Sequence, residues 1–347
     1  MKKTLLPLFL SLSILTWPVT EVQAAEGKAR TSQSKAKKSK VKHQVKAKHQ
    51  VKHKVKAKHK KIAKRSQRNN QAARDAELDH ALAKGDLKLR SNSALVINQA
   101  TGELIYTKNP EVETPIASIT KLMTAVVTLD AGLPLDEQIT INSEDLDRIK
   151  GTGSRLPLGA TLSRRELLHL ALIASENRAA AALSRSYPGG REAFVQAMNR
   201  KAHSLGMQNT HYVDGTGLSS SNRSTAMDLA KLVDVASRHY PLIHEITSTG
   251  SYDVEVAGRK HMRQIAYMNT NALTRNKDWD IGISKTGYIS EAGHCLVMQT
   301  RIAGQKMVIV LLDSWGKWSR IGDAQRIKRW IENGGAERVA SRAGRTT

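Results

Sequence analysis

Charge is unevenly spread along this chain, and the imbalance limits which part of it can fold. Residues 1–74 hold 21 Lys and Arg against two acids, Glu21 and Glu26, a net +19, whereas residues 75–347 hold 34 basic and 29 acidic groups, a net +5. Within the first segment, residues 41–50 (VKHQVKAKHQ) are nearly repeated by residues 51–60 (VKHKVKAKHK). The Val/Lys alternation imitates a strand, but Lys or His fills most positions and neither face could be buried. The composition therefore predicts a disordered, self-repelling arm over 26–74. Its four histidines, His43, His49, His53 and His59, make a poor metal site, because the surrounding lysines repel a dication. The high isoelectric point thus describes the arm, and no nucleic-acid partner is expected for the folded part.

Ahead of the arm, the first residues have the form of a secretory signal. Lys2 and Lys3 make a basic start, residues 5–15 an apolar stretch, and Val22-Gln23-Ala24 a small-residue cleavage site, with the cut expected after Ala24 or Ala25. The apolar stretch is well short of the ~20 residues that a membrane-spanning helix needs, and no later segment is long and apolar enough to span. The single cysteine, Cys295, rules out an internal disulfide and an N-terminal lipid-modified cysteine. With 40% hydrophobic residues, the remainder can build the core on which an exported protein without disulfides must rely. In such a protein the arm is expected to attach, by salt-sensitive attraction, to anionic polymers of the cell envelope.

The folded part is expected to occupy residues 75–347. Residues 94–98 (ALVIN), a turn through Thr101-Gly102 and residues 104–107 form a β-hairpin pattern. Residues 118–130 (SITKLMTAVVTLD) predict a largely buried helix, with Leu122, Met123, Val126 and Val127 as core. Residues 161–240 are helical in pattern. They open on the capping box Ser163–Glu166 and are broken by Pro188-Gly189-Gly190 before a helix that stops at Gly206. Residues 280–286, 295–302 and 306–313 predict three strands, and 321–333 a closing amphipathic helix. This order predicts an α+β fold, an antiparallel sheet assembled from both ends of the folded part, flanked by helices and with a helical region inserted.

Exported hydrolases often use a serine, and Ser118-Ile119-Thr120-Lys121 supplies one with a base three residues on, which on a helix shares its face. A lysine can act as a base only if its pKa falls, as burial and neighbouring cations make it do. At a helix start, Ser118 could also offer its backbone N–H to a developing oxyanion. The S-x-x-K pattern begins at Ser32, Ser34, Ser39, Ser118 and Ser314, but only Ser118 opens an apolar helix able to desolvate its lysine. Ser175-Glu176-Asn177 interrupts the helical region, and Lys285-Thr286-Gly287 ends a strand. S-x-N occurs a second time at Ser220-Ser221-Asn222, whereas K-[ST]-G occurs once. The order S-x-x-K, S-x-N, K-T-G is the triple signature of penicillin-binding proteins and serine β-lactamases.

Around these motifs, the stretches PIASITKLMTA, ASENRAAAALS, YPGG, SLGM, GTGLS and SKTGYISEAGHCLVM resemble low-molecular-mass D-alanyl-D-alanine endopeptidases of the penicillin-binding-protein-seven type, over about residues 90–335. The arm is not covered. The resemblance implies a periplasmic peptidoglycan hydrolase with Ser118 as nucleophile, Lys121 as general base and Ser175 as proton relay to the leaving amine. Asn177 would hold Lys121 and the substrate amide. Lys285 and Thr286 would bind the carboxylate beside the scissile bond, with Lys285 also favouring a neutral Lys121, and Gly287 would let the substrate strand lie close. The N–H groups of Ser118 and Tyr288 would form the oxyanion hole. No metal or cofactor is implied, and β-lactams are implied as covalent inhibitors.

Endopeptidase action on cross-links and carboxypeptidase trimming of a terminal D-alanine both offer Lys285 and Thr286 the same anion. The flanking wording favours the endopeptidase. So does the stretch beyond Asp313, too short for the extra β-domain and amphipathic anchor of the common carboxypeptidases. A β-lactamase is disfavoured because no E-x-x-x-N segment lies between Asn177 and Lys285, and a non-catalytic wall-binding protein because every motif residue is intact. Cys295 and His294 are expected to be structural, and Trp315, Trp318 and Trp330 to pack rather than to serve as platforms.

Overall fold

The computed structural model describes residues 87–257 and 262–335. The signal segment, the Lys/His arm and the expected start of the folded part at Asp75 lie outside the described residues.

The hairpin expected near residue 94 is β1 (Ser91–Asn98) and β2 (Leu104–Lys108). Four short strands follow, β3 (Thr114–Pro115), β4 (Gln138–Thr140), β5 (Thr161–Ser163) and β6 (Arg223–Ser224), and the three later strands are β9 (Asp280–Ile289), β10 (Gly293–Ile302) and β11 (Gln305–Ser314). The hairpin and these three later strands form one antiparallel sheet in the order β2-β1-β11-β10-β9, so the first strands of the described unit close on its last. That order leaves β9 at an edge.

Strand alternation sends successive side chains to opposite faces. Leu95, Ile283, Val297, Val308, Val310 and Leu312 face the helical region in one apolar core. Ala94, Val96, Leu296, Met298, Ile309 and Leu311 face a smaller one. The larger core holds α1 (Thr120–Asp130), α2 (Arg164–Ile173), α3 (Asn177–Arg185), α4 (Gly190–Ser204), α5 (Ala226–His239) and α6 (Pro241–Ser248). The smaller core is covered by α7 (Ser319–Glu332), through Ala324, Ile327, Trp330 and Ile331. Each fully buried aliphatic side chain contributes roughly 1.5–3 kcal/mol. Leu122, Met123, Val126 and Val127 of α1 are among them, as the apolar spacing predicts.

Several expectations change. Ser118 does not sit in α1 itself. It lies in a single 3-10 turn, Ala117–Ile119, entered through Ala117 at φ 47°, a left-handed conformation unusual for alanine. The helical pattern of 161–240 is broken over 205–225, where side-chain-capped turns replace helix. A further hairpin, β7 (Ser251–Ala257) and β8 (Met262–Met268), buries Val254, Val256, Ile265 and Tyr267 by the same period-two rule. Trp330 packs edge-on against Tyr106, with 6.4 Å between ring centroids, but Trp315 and Trp318 are exposed rather than packed, because the loop carrying them leaves the sheet before α7 begins.

A buried anion joins α7 to the sheet. Asp323 accepts hydrogen bonds from the Arg90 and Ser91 N–H groups at 3.1 and 2.8 Å and from the Ser91 hydroxyl at 2.6 Å, and it pairs with Arg326. Asp323→Ala is expected to cost about 3 kcal/mol, because these donors lose a charged acceptor inside the fold. Thermal denaturation checks it through a fall in Tm of several degrees.

Candidate active site

Sequence-distant segments converge on Lys121, which is wholly buried. Its Nζ lies 2.7 Å from Asn177 Oδ1, 2.6 Å from the Thr216 carbonyl oxygen and 2.9 Å from Ser118 Oγ. The first two can only accept, whereas a hydroxyl can accept or donate. A neutral amine has two N–H bonds and one lone pair. The carbonyls of Asn177 and Thr216 take the hydrogens, and the lone pair is left facing Ser118. Burial lowers the Lys121 pKa to about 8, against a smaller opposing pull from Asp214, Glu176 and Asp147.

Each partner of Lys121 is itself held. Asn177 opens α3 and donates from Nδ2 to Thr152 Oγ1 at 2.9 Å, and that hydroxyl donates to Asp147 at 2.6 Å. Burial would raise the Asp147 pKa, but N–H donors of Lys150, Thr152 and Ile149 and the Thr152 hydroxyl bring it to about 2, so the acceptor at the end of this chain stays ionised. The Thr216 carbonyl belongs to a turn built on Asp214, whose carboxylate accepts from the N–H groups of Thr216, Gly217 and Ser219. Asn222, from the second S-x-N, fixes this turn to α1 by donating to the Asp214 carbonyl and to Thr120 Oγ1. Gly217, at φ +78°, is required because a Cβ there would lie 2.0 Å from the Ala117 oxygen.

Ser175 sits between α2 and α3 at φ 59°, again left-handed, and accepts from Lys285 Nζ at 3.0 Å. The same Nζ also donates to the Thr286 carbonyl at 2.8 Å. Lys285 is buried beneath the cleft surface, and burial, followed by the charges of Lys121 and Arg320, holds its pKa well below the usual lysine range. Repulsion between the two buried lysines disfavours their being protonated together.

Gly287 brings strand β9 against the nucleophile turn. A Cβ on it would stand 2.9 Å from the Ile116 oxygen and 3.1 Å from the Ser118 nitrogen. This contact, within the protein, is a second reason for glycine beside the expected approach of substrate. It sets the backbone of Gly287 and Tyr288 along the Ser118 amide.

These segments enclose a cleft of about 560 Å³ lined by Ser118, Ser175, Asn177, Thr286, Gly287 and Tyr288, with Lys150, Thr152, Thr270 and Arg320 on its walls. Lys150 pairs with Glu291 across the rim. Arg320 comes from the first turn of α7. It contacts His294 Nδ1 at 2.7 Å, and its Nε has no hydrogen-bond partner among the described residues. His294 stacks on Tyr288 at 4.3 Å, and Cys295 is fully buried with its thiol pushed up to about 11 by burial.

Sequence reasoning did not single out Thr152, Asp214, Thr216 or Arg320. Only Asp214 carried a local signal, as an Asp ahead of a G-x-G turn. Thr216 acts through its carbonyl, which no side-chain motif reveals, and Arg320 reaches the cleft only because α7 packs back onto the sheet.

Residues 79–315 match the sequence pattern of peptidase family S11, D-alanyl-D-alanine carboxypeptidase. The chain belongs to that family. Among the family's curated members, a Pseudomonas aeruginosa protein named D-alanyl-D-alanine endopeptidase is 51% identical, over 71% of this chain and 79% of its own. An Escherichia coli protein of the same name is 45% identical over the same shares. Among solved structures, a DD-transpeptidase from Streptomyces K15 superposes with a TM-score of 0.65 at 28% identity, covering 70% of this chain and 97% of that one. An ampicillin-bound penicillin-binding protein D2 from Listeria monocytogenes gives 0.60 at 28% identity, covering 71% of this chain and 98% of that one. The antiparallel α+β architecture of this S11 chain is thus that of the penicillin-binding proteins.

Two outcomes are expected. With Lys121, lowered to about 8, as the proposed base, which must be neutral, acylation by benzylpenicillin should rise about tenfold per pH unit below neutrality and level off above about pH 8, as stopped-flow rates against pH would show. Gly287→Ala should slow that acylation by about a hundredfold, because the added Cβ displaces β9 from the nucleophile turn.

Proposed function

We propose that this protein is a periplasmic serine DD-endopeptidase that hydrolyses D-Ala–meso-diaminopimelate cross-links in peptidoglycan and is acylated by penicillins at the same serine. The observation that carries the reading is the placement of the Lys121 amine, hemmed by two carbonyl acceptors with its third direction facing Ser118 Oγ. The endopeptidase names of the relatives at 51% and 45% identity support the choice of substrate.

In this mechanism Ser118 Oγ attacks the carbonyl carbon of the penultimate D-alanine while its proton passes to Lys121 Nζ. Negative charge develops on the carbonyl oxygen, where the N–H groups of Ser118 and Tyr288 stabilise it. Collapse of this intermediate breaks the C–N bond. The leaving amine takes the proton that Lys121 accepted, relayed through the hydroxyl of Ser175, which is hydrogen-bonded by Lys285. The carboxylate next to the scissile bond is bound by the Thr286 hydroxyl and by the guanidinium of Arg320, which lines the same cleft. Lys285, below the surface, orients Ser175. Water then attacks the acyl-enzyme, Lys121 accepts its proton and passes it to Ser118 Oγ as the ester C–O bond breaks, which regenerates the free serine and the neutral amine. Asn177 keeps Lys121 in register and offers its amide to the substrate peptide. The Lys/His arm, outside the described residues, would retain the exported enzyme at anionic envelope polymers.

Product analysis by mass spectrometry tests this function. Given cross-linked dimer muropeptides and monomeric pentapeptides, the protein is expected to convert dimers to monomers, and Ser118→Ala to leave both untouched. Loss of one alanine from pentapeptides with dimers intact would make it a carboxypeptidase instead.

A further inference from the structure

The two most exposed large apolar side chains among the described residues are Trp315 and Trp318, at 77% and 64% of their full accessibility. An exposed aromatic pair on one loop is an unusual use of apolar surface. The loop is ordered by its own hydrogen bonds. The Ser319 hydroxyl donates to the Trp315 carbonyl, the Ser319 N–H to the Gly316 carbonyl at 3.1 Å, and the Gly322 N–H to the Trp318 carbonyl at 3.0 Å. The rings are therefore presented at a fixed place.

That place adjoins the catalytic cleft on the side of the carboxylate-binding groups. Strand β11 ends at Ser314, paired in register with His294, and His294 stacks on Tyr288 of the cleft wall. Two residues after Trp318, Arg320 enters the cleft and contacts His294. Lys317, between the tryptophans and exposed, holds its ammonium 5.5 Å from the Trp318 ring centroid. A cationic and aromatic rim thus continues outward from the anion-binding wall.

The two candidate substrates differ at this position. Beyond the scissile bond a pentapeptide ends in a methyl group and a carboxylate. A cross-link continues through the polymethylene arm of diaminopimelate into a second stem peptide carrying further carboxylates. We propose that Trp315, Lys317 and Trp318 form the docking rim for this leaving stem, the tryptophan faces covering its polymethylene arm and Lys317 drawing its carboxylates. This rests on the endopeptidase reading above and specifies which residues give it preference for cross-links. Tryptophan suits the task, because it offers a large rigid contact surface with little side-chain entropy to lose.

The test compares the wild type with Trp315→Ala/Trp318→Ala on three reagents: a tetrapeptide cross-linked dimer muropeptide, a monomeric pentapeptide, and fluorescent penicillin as the measure of an intact site. The double variant is expected to lose about tenfold in kcat/KM on the dimer, mainly through KM, a loss in the range of one good anchor. Pentapeptide trimming and penicillin acylation should stay within about twofold, since neither compound reaches the rim. Equal dimer cleavage by variant and wild type, or an equal fall on all three reagents, overturns the rim. A wild type that leaves dimers intact overturns the endopeptidase function and the rim with it. Co-sedimentation with anionic phospholipid vesicles and analytical ultracentrifugation complete the comparison. If the double variant loses vesicle binding or self-association while cleaving dimers normally, the tryptophans serve a lipid surface or a second copy, and the proposal fails.

Discussion

An amine buried without a carboxylate against it is the constraint on which this structure turns. Lys121 has no exposed surface, and its three polar neighbours are a hydroxyl and two carbonyl oxygens rather than an anion. Burying an ammonium in such surroundings is costly, so the group tends toward its neutral form, which is the form a serine needs as its base. The acids that oppose this shift, Asp214, Glu176 and Asp147, act through space while their oxygens are taken by backbone N–H groups and hydroxyls. The same carboxylates therefore order the loops around the amine and keep enough charge nearby to make its burial tolerable.

Much of the surrounding architecture follows from holding that amine in place. Helix α1 is buried on nearly all sides, so the Nζ of its lysine must find partners inside the protein. Those partners come from the start of α3 and from the 213–222 loop, each pinned by its own network. Two of the five non-glycine residues with positive φ among the described residues, Ala117 and Ser175, lie in this cleft region, where the surrounding packing over-determines local conformation. Glycines at 217 and 287 then allow the loop and the edge strand to approach the nucleophile turn closely. The Ser118 hydroxyl is thereby fixed between the Lys121 amine on one side and a strand of the sheet on the other.

The edge position of β9 has a functional consequence. An edge strand leaves backbone groups unpaired, and here the edge beside the nucleophile is lined by Thr286, Gly287 and Tyr288, which face the cleft. From there the wall continues through His294 and Arg320 to the exposed tryptophans. Lys150 and Glu291 join the opposite walls at the rim.

Much of this was legible in the amino-acid sequence, for definite reasons. The five sheet strands and α1 carry apolar periodicity strong enough to identify them, and Ser118, Lys121, Ser175, Asn177 and Lys285 stand in motifs whose spacing has a chemical meaning. The 3-10 turn at Ser118 was not legible, because it arises from contact with residues about a hundred positions away. Nor was the role of Thr216, because a carbonyl oxygen has no residue signature. Arg320 and the outward-facing tryptophans were hidden for another reason: their positions depend on how α7 returns across the sheet, and local composition cannot distinguish a tryptophan that packs, such as Trp330, from one left at a rim. Local pattern and covalent spacing determined which residues could do the chemistry and the class of fold that carries them. Which of them meet, which lysine faces the serine, and what lines the cleft were decided by tertiary packing, because those relations join segments whose only physical connection is the folded core.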